Sequence, residues 1–496
     1  MSIALLGGLA ACHGDAWVAV EFDVPEGALA PASYASIEVR IRTAARDDMR
    51  TVPVVDGAFQ LGDLSETRGA VLEAKLLSAT GGLMAYGRHP GLVDLVDGAS
   101  LVVPVRRPLV YLGASRRVSD RNPDTLDPLA LEPAAYVDLS AGAAPLGPEG
   151  RIATTSGYLT SASGALWGLD QAIDPRSGRG VGPISLVSVA ASDHAVSPPI
   201  PLPAELTGAI HDTRASDDGA VVAVATQTGL AVVQTDGGAA VITAGAYSRV
   251  VFARDALYAI VGRAPRGPCN LGAQLVRHQR AAPGDAAALA SGGFLDLASN
   301  GDRVFALDCG GQISEVTDSG LRPLRGGLSG ATAIAVSGDH LWFAAVSGGV
   351  ASIASFPLDS MEPALQLWSE AVTQKLTASD YPGVVRNVAA DAVFIDELEL
   401  GAGGEFISAS VLATYDEPAI PAANFPQFTL ESDELWVLDA SSGAVDLRYR
   451  TWCSGVSRAV TGQITGWACA EESGQLAAHG EDAHRLRSMT FAFGSR

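Results

Sequence analysis

The 496-residue sequence has few charged side chains and almost no lysine. Charged residues make up 18% of the chain, and Lys75 and Lys375 are its only lysines. With 33 Lys and Arg residues against 55 Asp and Glu residues, the formal net charge is −22 at neutral pH. Such a chain repels nucleic acid and anionic membrane surfaces, so both are excluded as partners. The use of arginine in place of lysine is typical of a bacterium with a high-GC genome.

The chain also lacks a long apolar run near its start. The apolar segment Ser2–Ala11 has ten residues, whereas a membrane-spanning helix needs about 20. A short apolar segment that ends in small residues is typical of a secretion signal. The next residue is Cys12, and the tetrad Leu9-Ala10-Ala11-Cys12 resembles the lipobox of bacterial lipoproteins. This resemblance implies cleavage before Cys12 and a lipid on its thiol; a buried N-terminal strand with a free cysteine is the alternative.

Cysteine is scarce and is not arranged for metal binding. Apart from Cys12 there are four cysteines, and none forms a C-x-x-C motif or a zinc-ligand cluster. Four cysteines allow three pairings, of which sequence proximity favours Cys269 with Cys309 and Cys453 with Cys469. Disulfides indicate an oxidising compartment such as the periplasm; four buried thiols in a cytosolic protein are the alternative.

Glycine and proline are abundant, with 55 and 27 residues, which favours many turns and β structure over long helices. Apolar and polar residues alternate in the first part of the chain, as expected for strands with one buried face. The alternation is clear at Val18, Val20 and Phe22, at Ile37, Val39 and Ile41, and at Leu72, Ala74 and Leu76. We therefore predict an immunoglobulin-like or transthyretin-like β-sandwich over residues 13–107, after a signal peptide over residues 1–12.

A different unit repeats after Pro108. Its clearest copies pair a turn aspartate with an aromatic residue three positions later, as in Asp255 with Tyr258, Asp302 with Phe305, Asp339 with Trp342 and Asp391 with Phe394. The aromatic positions lie 47, 37 and 52 residues apart, which is the range of a propeller blade. Each unit reads as a four-stranded sheet whose aromatic residue packs against the next blade.

These units predict a β-propeller over residues 108–496, with blades that start near residues 152, 207, 248, 293, 331, 386 and 457. The strands Leu109–Leu112 and Ala135–Leu139 are expected to close the ring by pairing with the end of the chain. The irregular spacing favours seven blades and leaves six or eight open. The region resembles the broad class of bacterial propellers with quinoprotein-like or YVTN-like repeats. Only the spacing of the repeated strand pattern is shared, so the resemblance assigns no site residue.

No motif in the sequence identifies a catalytic site. Asp120, Asn122 and Asp124 begin like a calcium loop but lack the glycine at its sixth position, so they are weak calcium candidates beside a plain polar loop. Ser329 lacks the second glycine of a nucleophile elbow. We expect no catalytic residue, no other metal site and no cofactor.

Two further groups have a structural and a functional interpretation. The acidic stretch Asp396–Glu399 could line a ligand site, but it reads better as the solvated face of an exposed hairpin. Four tryptophans could form a sugar-stacking platform, but equivalent positions in the repeat favour a place in the core. They are Trp167, Trp342, Trp436 and Trp467.

The sequence therefore favours a non-enzymatic protein, anchored by lipid to the bacterial envelope, at the outer membrane facing the periplasm or the cell surface. Its propeller face would bind an envelope protein or a glycan, because loops from every blade meet on one rigid surface. The alternative is a periplasmic propeller hydrolase or lyase with a site at the channel mouth. Such enzymes place several carboxylates or histidines from different blades around a metal, so convergence of His211, His278 and His340 on the axis would favour that alternative.

Overall fold

The chain folds almost entirely into β-strands. A computed structural model describes residues 15–494 except for a set of internal segments. Those segments are residues 24–34, 44–45, 54–60, 66, 80–82, 90, 117–129, 132, 140–150, 156–157, 163–164, 174–179, 191–194, 207–209, 238–239, 263–268, 361–362, 379–380, 402–405, 418–427, 441–444, 458–466 and 470–483. The described residues form 39 strands and no α-helix, and so contain no helix that could cross a membrane. The predicted all-β class is confirmed.

Eight strands build the N-terminal part. They are β1 (Asp15–Asp23), β2 (Ser36–Thr43), β3 (Arg46–Pro53), β4 (Leu61–Ser65), β5 (Thr67–Leu77), β6 (Leu83–Arg88), β7 (Val93–Leu95) and β8 (Ser100–Arg116). Strands β3, β2, β5 and β6 pair in that order and are antiparallel. Strand β1 pairs antiparallel with β4 and parallel with β8.

The alternating residues of these strands face one hydrophobic core, as the period of two predicts. Val18, Val20 and Phe22 of β1 pack in the same buried cluster as the alternating residues of β2 and β5. The remaining members of that alternation are Ile37, Val39, Ile41, Leu72, Ala74 and Leu76. The immunoglobulin-like or transthyretin-like identity of this unit stays a prediction, as does the division of the chain into domains.

Seven four-stranded sheets follow, numbered here as blades one to seven, with strands counted from the propeller axis outward. Blade one contains β12 (Thr160–Ala162), β13 (Ala165–Ile173), β14 (Gly180–Ala190) and β15 (Ile200–Pro201); blade two contains β16 (Ile210–Ala215), β17 (Val221–Thr226), β18 (Gly229–Gln234) and β19 (Val241–Ala244); blade three contains β20 (Tyr247–Ala253), β21 (Ala256–Val261), β22 (Gln274–Gln279) and β23 (Ala282–Ser291).

The next three blades have the same strand order. Blade four contains β24 (Phe294–Ser299), β25 (Val304–Asp308), β26 (Ile313–Thr317) and β27 (Gly320–Arg325); blade five contains β28 (Ala331–Ser337), β29 (His340–Ser347), β30 (Val350–Pro357) and β31 (Leu365–Ala371); blade six contains β34 (Ala392–Leu400), β35 (Phe406–Glu417), β36 (Phe428–Asp439) and β37 (Val445–Ser457).

Blade seven joins the two ends of the propeller. Its first strand is β39 (His484–Gly494), which pairs with the second half of β8. Strand β8 pairs in turn with β10 (Pro133–Asp138), β10 pairs with β11 (Arg151–Thr155), and the short β9 (Ala130–Leu131) pairs with the end of β8. The predicted closure of the ring by strands from both chain ends is therefore present.

The first strands form a closed ring of seven. Each contacts the next in the order β39, β12, β16, β20, β24, β28, β34 and back to β39. The described residues therefore form a seven-bladed propeller, the favoured one of the predicted blade numbers. Tyr258, Phe305 and Trp342 lie on second strands, and each packs against a core cluster that includes the following blade. This is the packing that the repeat predicts.

The predicted starts of the first blade and of the last two blades are wrong. Residue 152 lies on β11, the fourth strand of blade seven, whereas blade one begins at Thr160 and blade seven at His484. The hairpin of β32 (Thr373–Ala378) and β33 (Tyr381–Ala389) pairs with β38 (Trp467–Cys469) in a separate three-stranded sheet. Blade six therefore begins at Ala392, which places Phe394 on a first strand instead of a second strand. The end of β33 is followed by Asp391 and Phe394, so the sequence mimics the first strand and the turn of a repeat.

Strand β8 belongs to both parts of the molecule. It pairs with β1 at residues 100–104, with β6 at residues 105–106 and with β10 at residues 109–112. A buried cluster lies beside it and joins Leu83 of the N-terminal part to Val110 and to Leu435 of blade six. The N-terminal unit is thus fixed to blades six and seven by a continuous strand and by an apolar contact.

One disulfide connects two neighbouring blades. Cys269 precedes the third strand of blade three, Cys309 precedes the third strand of blade four, and the two sulfurs are bonded. Gly293 lies beside the bond, because a Cβ there would come within 2.4 Å of Sγ of Cys269. This pairing is the one that sequence proximity favours.

The second cysteine pair lies on neighbouring strands whose cysteine side chains are outside the described part. Cys453 is on β37 and Cys469 is on β38, and these strands contact each other. Cys453 therefore lies on the fourth strand of blade six, and Cys469 lies on the separate three-stranded sheet. Their pairing stays a prediction.

We expect the Cys269–Cys309 bond to stabilise the ring. Replacing both cysteines with alanine should lower the free energy of unfolding by about 2–4 kcal/mol, because the unfolded chain loses a covalent constraint. The measurement is a urea titration of the wild type and the double variant under oxidising conditions. Leu271→Ala is the control, since Leu271 lies in the same loop and is 78% exposed. An unchanged urea midpoint for the double variant would contradict a stabilising role.

Candidate ligand-binding cavity on the propeller axis

The three histidines whose convergence would favour the hydrolase alternative do not converge. His211 lies on the first strand of blade two, His278 on the third strand of blade three and His340 on the second strand of blade five. Nδ1 of His211 is 2.6 Å from the Tyr247 carbonyl, and Nδ1 of His278 is 2.8 Å from the Pro283 carbonyl. Burial lowers the pKa of both imidazoles. The three histidines therefore lie on different strands of three blades and do not form one cluster.

Other predicted site residues cannot be placed. Cys12 and the calcium candidates Asp120, Asn122 and Asp124 lie outside the described residues. Within the described ranges, no group of three or more His, Cys, Asp or Glu residues is arranged to hold a metal ion.

The tryptophans do not share one position in the repeat. Trp167 and Trp342 lie on second strands, whereas Trp436 lies on the third strand of blade six. Trp167 and Trp436 are buried, and Trp342 packs against the core shared by blades five and six. Trp368 stacks edge-on against Trp436, with 4.9 Å between ring centroids. The core interpretation therefore holds for these three residues, although they are not equivalent; the side chain of Trp467 lies outside the described part.

The first strands carry a repeated irregularity that places charged residues on the axis. In β16, β20, β24 and β34 the pairing register shifts immediately before Asp212, Arg249, Asp296 and Glu397, respectively. A β-bulge redirects the side chain that follows it, and bulges are frequent beside functional sites. Four blades thus place an ionisable side chain at the same level of the channel.

Two of these aspartates also join neighbouring blades. A carboxylate oxygen of Asp212 accepts a hydrogen bond from the Val250 amide at 3.0 Å, and a carboxylate oxygen of Asp296 accepts one from the Ile334 amide at 2.9 Å. Each bond runs from a first strand to the first strand of the next blade. Buried charge-assisted bonds of this kind fix the spacing of the inner strands.

Arg214 crosses the channel from blade two to blade six. Its guanidinium donates to Glu397 at 2.6 Å and to Glu399 at 2.5 Å, and Nε lies 3.5 Å from Oδ1 of Asp212. Blades two and six are three steps apart, the largest separation in a ring of seven. The contact therefore spans the propeller axis.

Arg249 makes a second crossing from blade three. It lies 3.2 Å from Oδ1 of Asp296 in blade four and 2.9 Å from Oδ1 of Asp396 in blade six. It also donates to the Asp396 backbone carbonyl at 2.6 Å. We call these seven residues the axial charge cluster: Asp212, Arg214, Arg249, Asp296, Asp396, Glu397 and Glu399. It closes the channel at this level.

Carboxylates outnumber guanidinium groups in the axial charge cluster by five to two. Burial raises the pKa of Glu397 to about 8, although Arg214 opposes the shift. Burial likewise raises the pKa of Glu399 and of Asp296, against the opposing effects of Arg214 and Arg249. The two arginines thus compensate the buried negative charge only in part.

A cavity of about 350 Å³ lies beside this cluster. Six of the seven first strands line it, with Arg214, Arg249, Asp296, Glu397 and Glu399 on one side. Val251, Leu297 and Leu398 are among the apolar residues that line it, although most of the lining surface is polar. The volume is at the lower end of the range for small-molecule sites.

The cavity extends from the axial charge cluster toward one face of the propeller. We call this the turn face, because it carries the turns between first and second strands at residues 216–220, 254–255, 300–303 and 338–339. Asp217 lies on one of these turns and lines the cavity. Burial and the nearby Asp218 and Asp302 raise the pKa of Asp217. Negative charge thus continues from the cavity to its rim.

The interpretation of Asp396–Glu399 as the solvated face of an exposed hairpin is wrong. Glu397 and Glu399 alternate with apolar residues, as expected for a strand with one solvated face. In the ring this face of β34 points toward the axis, so Glu397 and Glu399 line the axial cavity. This position agrees with the alternative interpretation, in which the stretch lines a ligand site. The sequence patterns do not identify Arg214 or Arg249 as site residues. The one pattern that could have indicated the site is the aspartate at the third position of both β16 and β24.

The fold and the cavity define an all-β propeller protein with a cavity on its axis. No model of a known protein family matches the chain, and no curated protein matches it. Among solved structures, the chain is similar to the β-propeller domain of the Trilobed protease from Pyrococcus furiosus, with a TM-score of 0.35, 9% identity, and coverage of 76% of this chain and 95% of that domain. The propeller assignment rests on the ring of sheets itself.

Two further solved structures are similar at the same level. The computationally designed Ika8 protein has a TM-score of 0.34 and 10% identity, over 62% of this chain and 95% of that chain. The structure described as the eukaryotic initiation factor has a TM-score of 0.32 and 9% identity, over 84% of this chain and 96% of that chain.

Proposed function

We propose that this protein is an exported, lipid-anchored binding protein of the bacterial envelope, which engages an envelope protein or a glycan through the turn face of its propeller. The observation that carries the proposal is the axial cavity, because it lies between the axial charge cluster and the turn face and is lined by six blades. A surface assembled from many blades on a rigid ring suits recognition.

Three observations support the location. The tetrad Leu9–Cys12 resembles a lipobox, the Cys269–Cys309 disulfide suits an oxidising compartment, and the net charge of −22 opposes adsorption to acidic envelope polymers. The outer membrane, facing the periplasm or the cell surface, is the proposed site of attachment. The separate positions of His211, His278 and His340 remove the histidine cluster that would favour the hydrolase or lyase alternative.

The anchor has a direct test. We expect Cys12→Ala to move the protein from the membrane fraction to the soluble fraction, because the thiol that would receive the lipid is absent. The measurement is fractionation of cells followed by detection of a C-terminal tag. The control is Cys269→Ala, which removes a cysteine at the disulfide instead. Retention of the Cys12→Ala variant in the membrane would contradict lipid anchoring.

The binding face is tested by crosslinking intact cells and copurifying partners through the C-terminal tag. We expect a reproducible partner with the wild type and its loss with Asp255→Arg, since Asp255 lies exposed on the turn face. Leu271→Arg is the matched control, because Leu271 is 78% exposed in a loop between second and third strands, on the opposite face. Loss of the partner only with Leu271→Arg would assign recognition to that opposite face.

A further inference from the structure

The axial charge cluster leaves acceptor atoms available to a ligand. Arg214 uses Oε1 of Glu397 and Oε1 of Glu399, and Oε2 of each carboxylate accepts no hydrogen bond from a described residue. Both side chains are largely buried, with 12% and 15% of their surface exposed, and both line the cavity. Unpaired carboxylate oxygens in a partly desolvated site favour a cationic hydrogen-bond donor.

The formal charge of the site favours a cation over an anion. Both guanidinium groups are already shared among five carboxylates, and Asp217 adds a further carboxylate at the rim. An excess of one sign of charge in a concave site concentrates the opposite charge in its interior. The ligand therefore brings a positive charge.

The volume and the lining of the axial cavity indicate which kind of cation it can hold. The cavity of about 350 Å³ lies beside the two arginines that cross the channel. Most of its lining is polar, and Val251, Leu297 and Leu398 form an apolar part of the wall that suits an aliphatic chain behind a charged head. A compact ammonium offers three donors, enough for both free oxygens.

We propose that the axial cavity binds a primary alkylammonium group, with its charged head on Oε2 of Glu397 and of Glu399 and its alkyl chain along the apolar wall. The group comes from the lysine side chain of a partner or from a free aliphatic diamine. This inference rests on the proposed binding function and names the chemistry that its cavity recognises.

The test is isothermal titration of the full-length protein with two amines. The probes are 1,5-diaminopentane and N-acetyl-lysine-methylamide, and their neutral counterparts are 1,5-pentanediol and N-acetyl-norleucine-methylamide. We expect at least one amine to bind about tenfold or more tightly than its neutral counterpart. Binding of the lysine derivative alone assigns a partner side chain, and binding of the diamine alone assigns a free amine. Equal affinity of each amine and its counterpart overturns the proposal.

Two variants locate the site. Glu399→Gln should weaken amine binding about tenfold, because one charged acceptor becomes neutral. Glu370→Gln is its matched control, since Glu370 lies exposed on the fourth strand of blade five. Ala215→Leu fills part of the cavity without changing its charge and should also weaken binding, which keeps the test valid if Glu399→Gln fails to fold. Unchanged binding in a folded Ala215→Leu variant overturns the proposal.

The pH dependence of binding adds an independent readout. The pKa of Glu397 is raised to about 8, so near neutral pH this group must release a proton before it can pair with an ammonium. The amines themselves stay protonated to about pH 10. Affinity should therefore rise between about pH 6 and pH 9, and this rise should be smaller in Glu397→Gln.

The proposed function and the amine site can fail separately. A partner that still copurifies with Ala215→Leu would leave the proposed function standing, but it would show that this partner does not use the cavity.

Discussion

Removal of residues 484–496 is expected to abolish the closed propeller. These residues contain β39, the first strand of blade seven, which pairs with β8 along its length and contacts the first strands of blades one and six. Without β39 the edge of β8 and the facing sides of both neighbouring blades lose their partners. The truncated protein should lose its cooperative thermal transition or aggregate.

The measurement is thermal unfolding by circular dichroism together with size-exclusion chromatography. Removal of residues 495–496 alone is the matched control, since it leaves β39 complete. A monomer that lacks residues 484–496 and unfolds at the wild-type temperature would show that the ring does not depend on this strand.

Arg214→Met is the second large expected effect. The substitution keeps an unbranched side chain but leaves Glu397 and Glu399 without their cation across the channel. Removing one partner of a buried ion pair is strongly destabilising, so we expect a loss of about 3 kcal/mol in the free energy of unfolding at neutral pH. The control is Arg254→Met, whose pair with Asp302 is 71% and 78% exposed and should contribute less than about 1 kcal/mol.

The cost of Arg214→Met should depend on pH. In the folded protein the pKa values of Glu397 and Glu399 are raised, so both groups bind protons more readily than in the unfolded chain. Their protonated forms favour folding, and this contribution is lost as pH rises through the folded-state pKa values. Denaturant titrations should show a smaller loss at about pH 5.5 than at about pH 9, because protonated carboxyls need no cation. An equal loss at both pH values would mean that these carboxyls are not what Arg214 stabilises.

Local patterns were sufficient to predict much of the fold. Alternating residues such as Val18 and Val20 identify strands with one buried face, and the turn aspartates with aromatic residues identify the blade repeat. The closure through residues 109–112 follows from the need to cover a sheet edge. Blade six was misplaced because Asp391 and Phe394 follow β33 as in the other repeats, whereas β33 pairs with β32, which pairs with β38.

The candidate site was less predictable than the fold. Glu397 and Glu399 alternate with apolar residues, and in a single hairpin that pattern describes a solvated face. Only the ring turns this face toward an axis, where Arg214 and Arg249 arrive from blades distant in sequence. Partners so far apart in the chain leave no local signal, whereas the pairing of Cys269 with Cys309 followed from their proximity.

We expect the shared strand β8 to impose an order of folding. Blades one to six are each built from consecutive chain, so their strands can pair before the end of the chain is available. Blade seven must wait for the last strand, and long-range pairings of this kind form slowly. During that delay the N-terminal unit can already hold the first half of β8 through β1 and β6, which keeps its second half extended and in register. The N-terminal unit thus acts as a template on which the ring is completed.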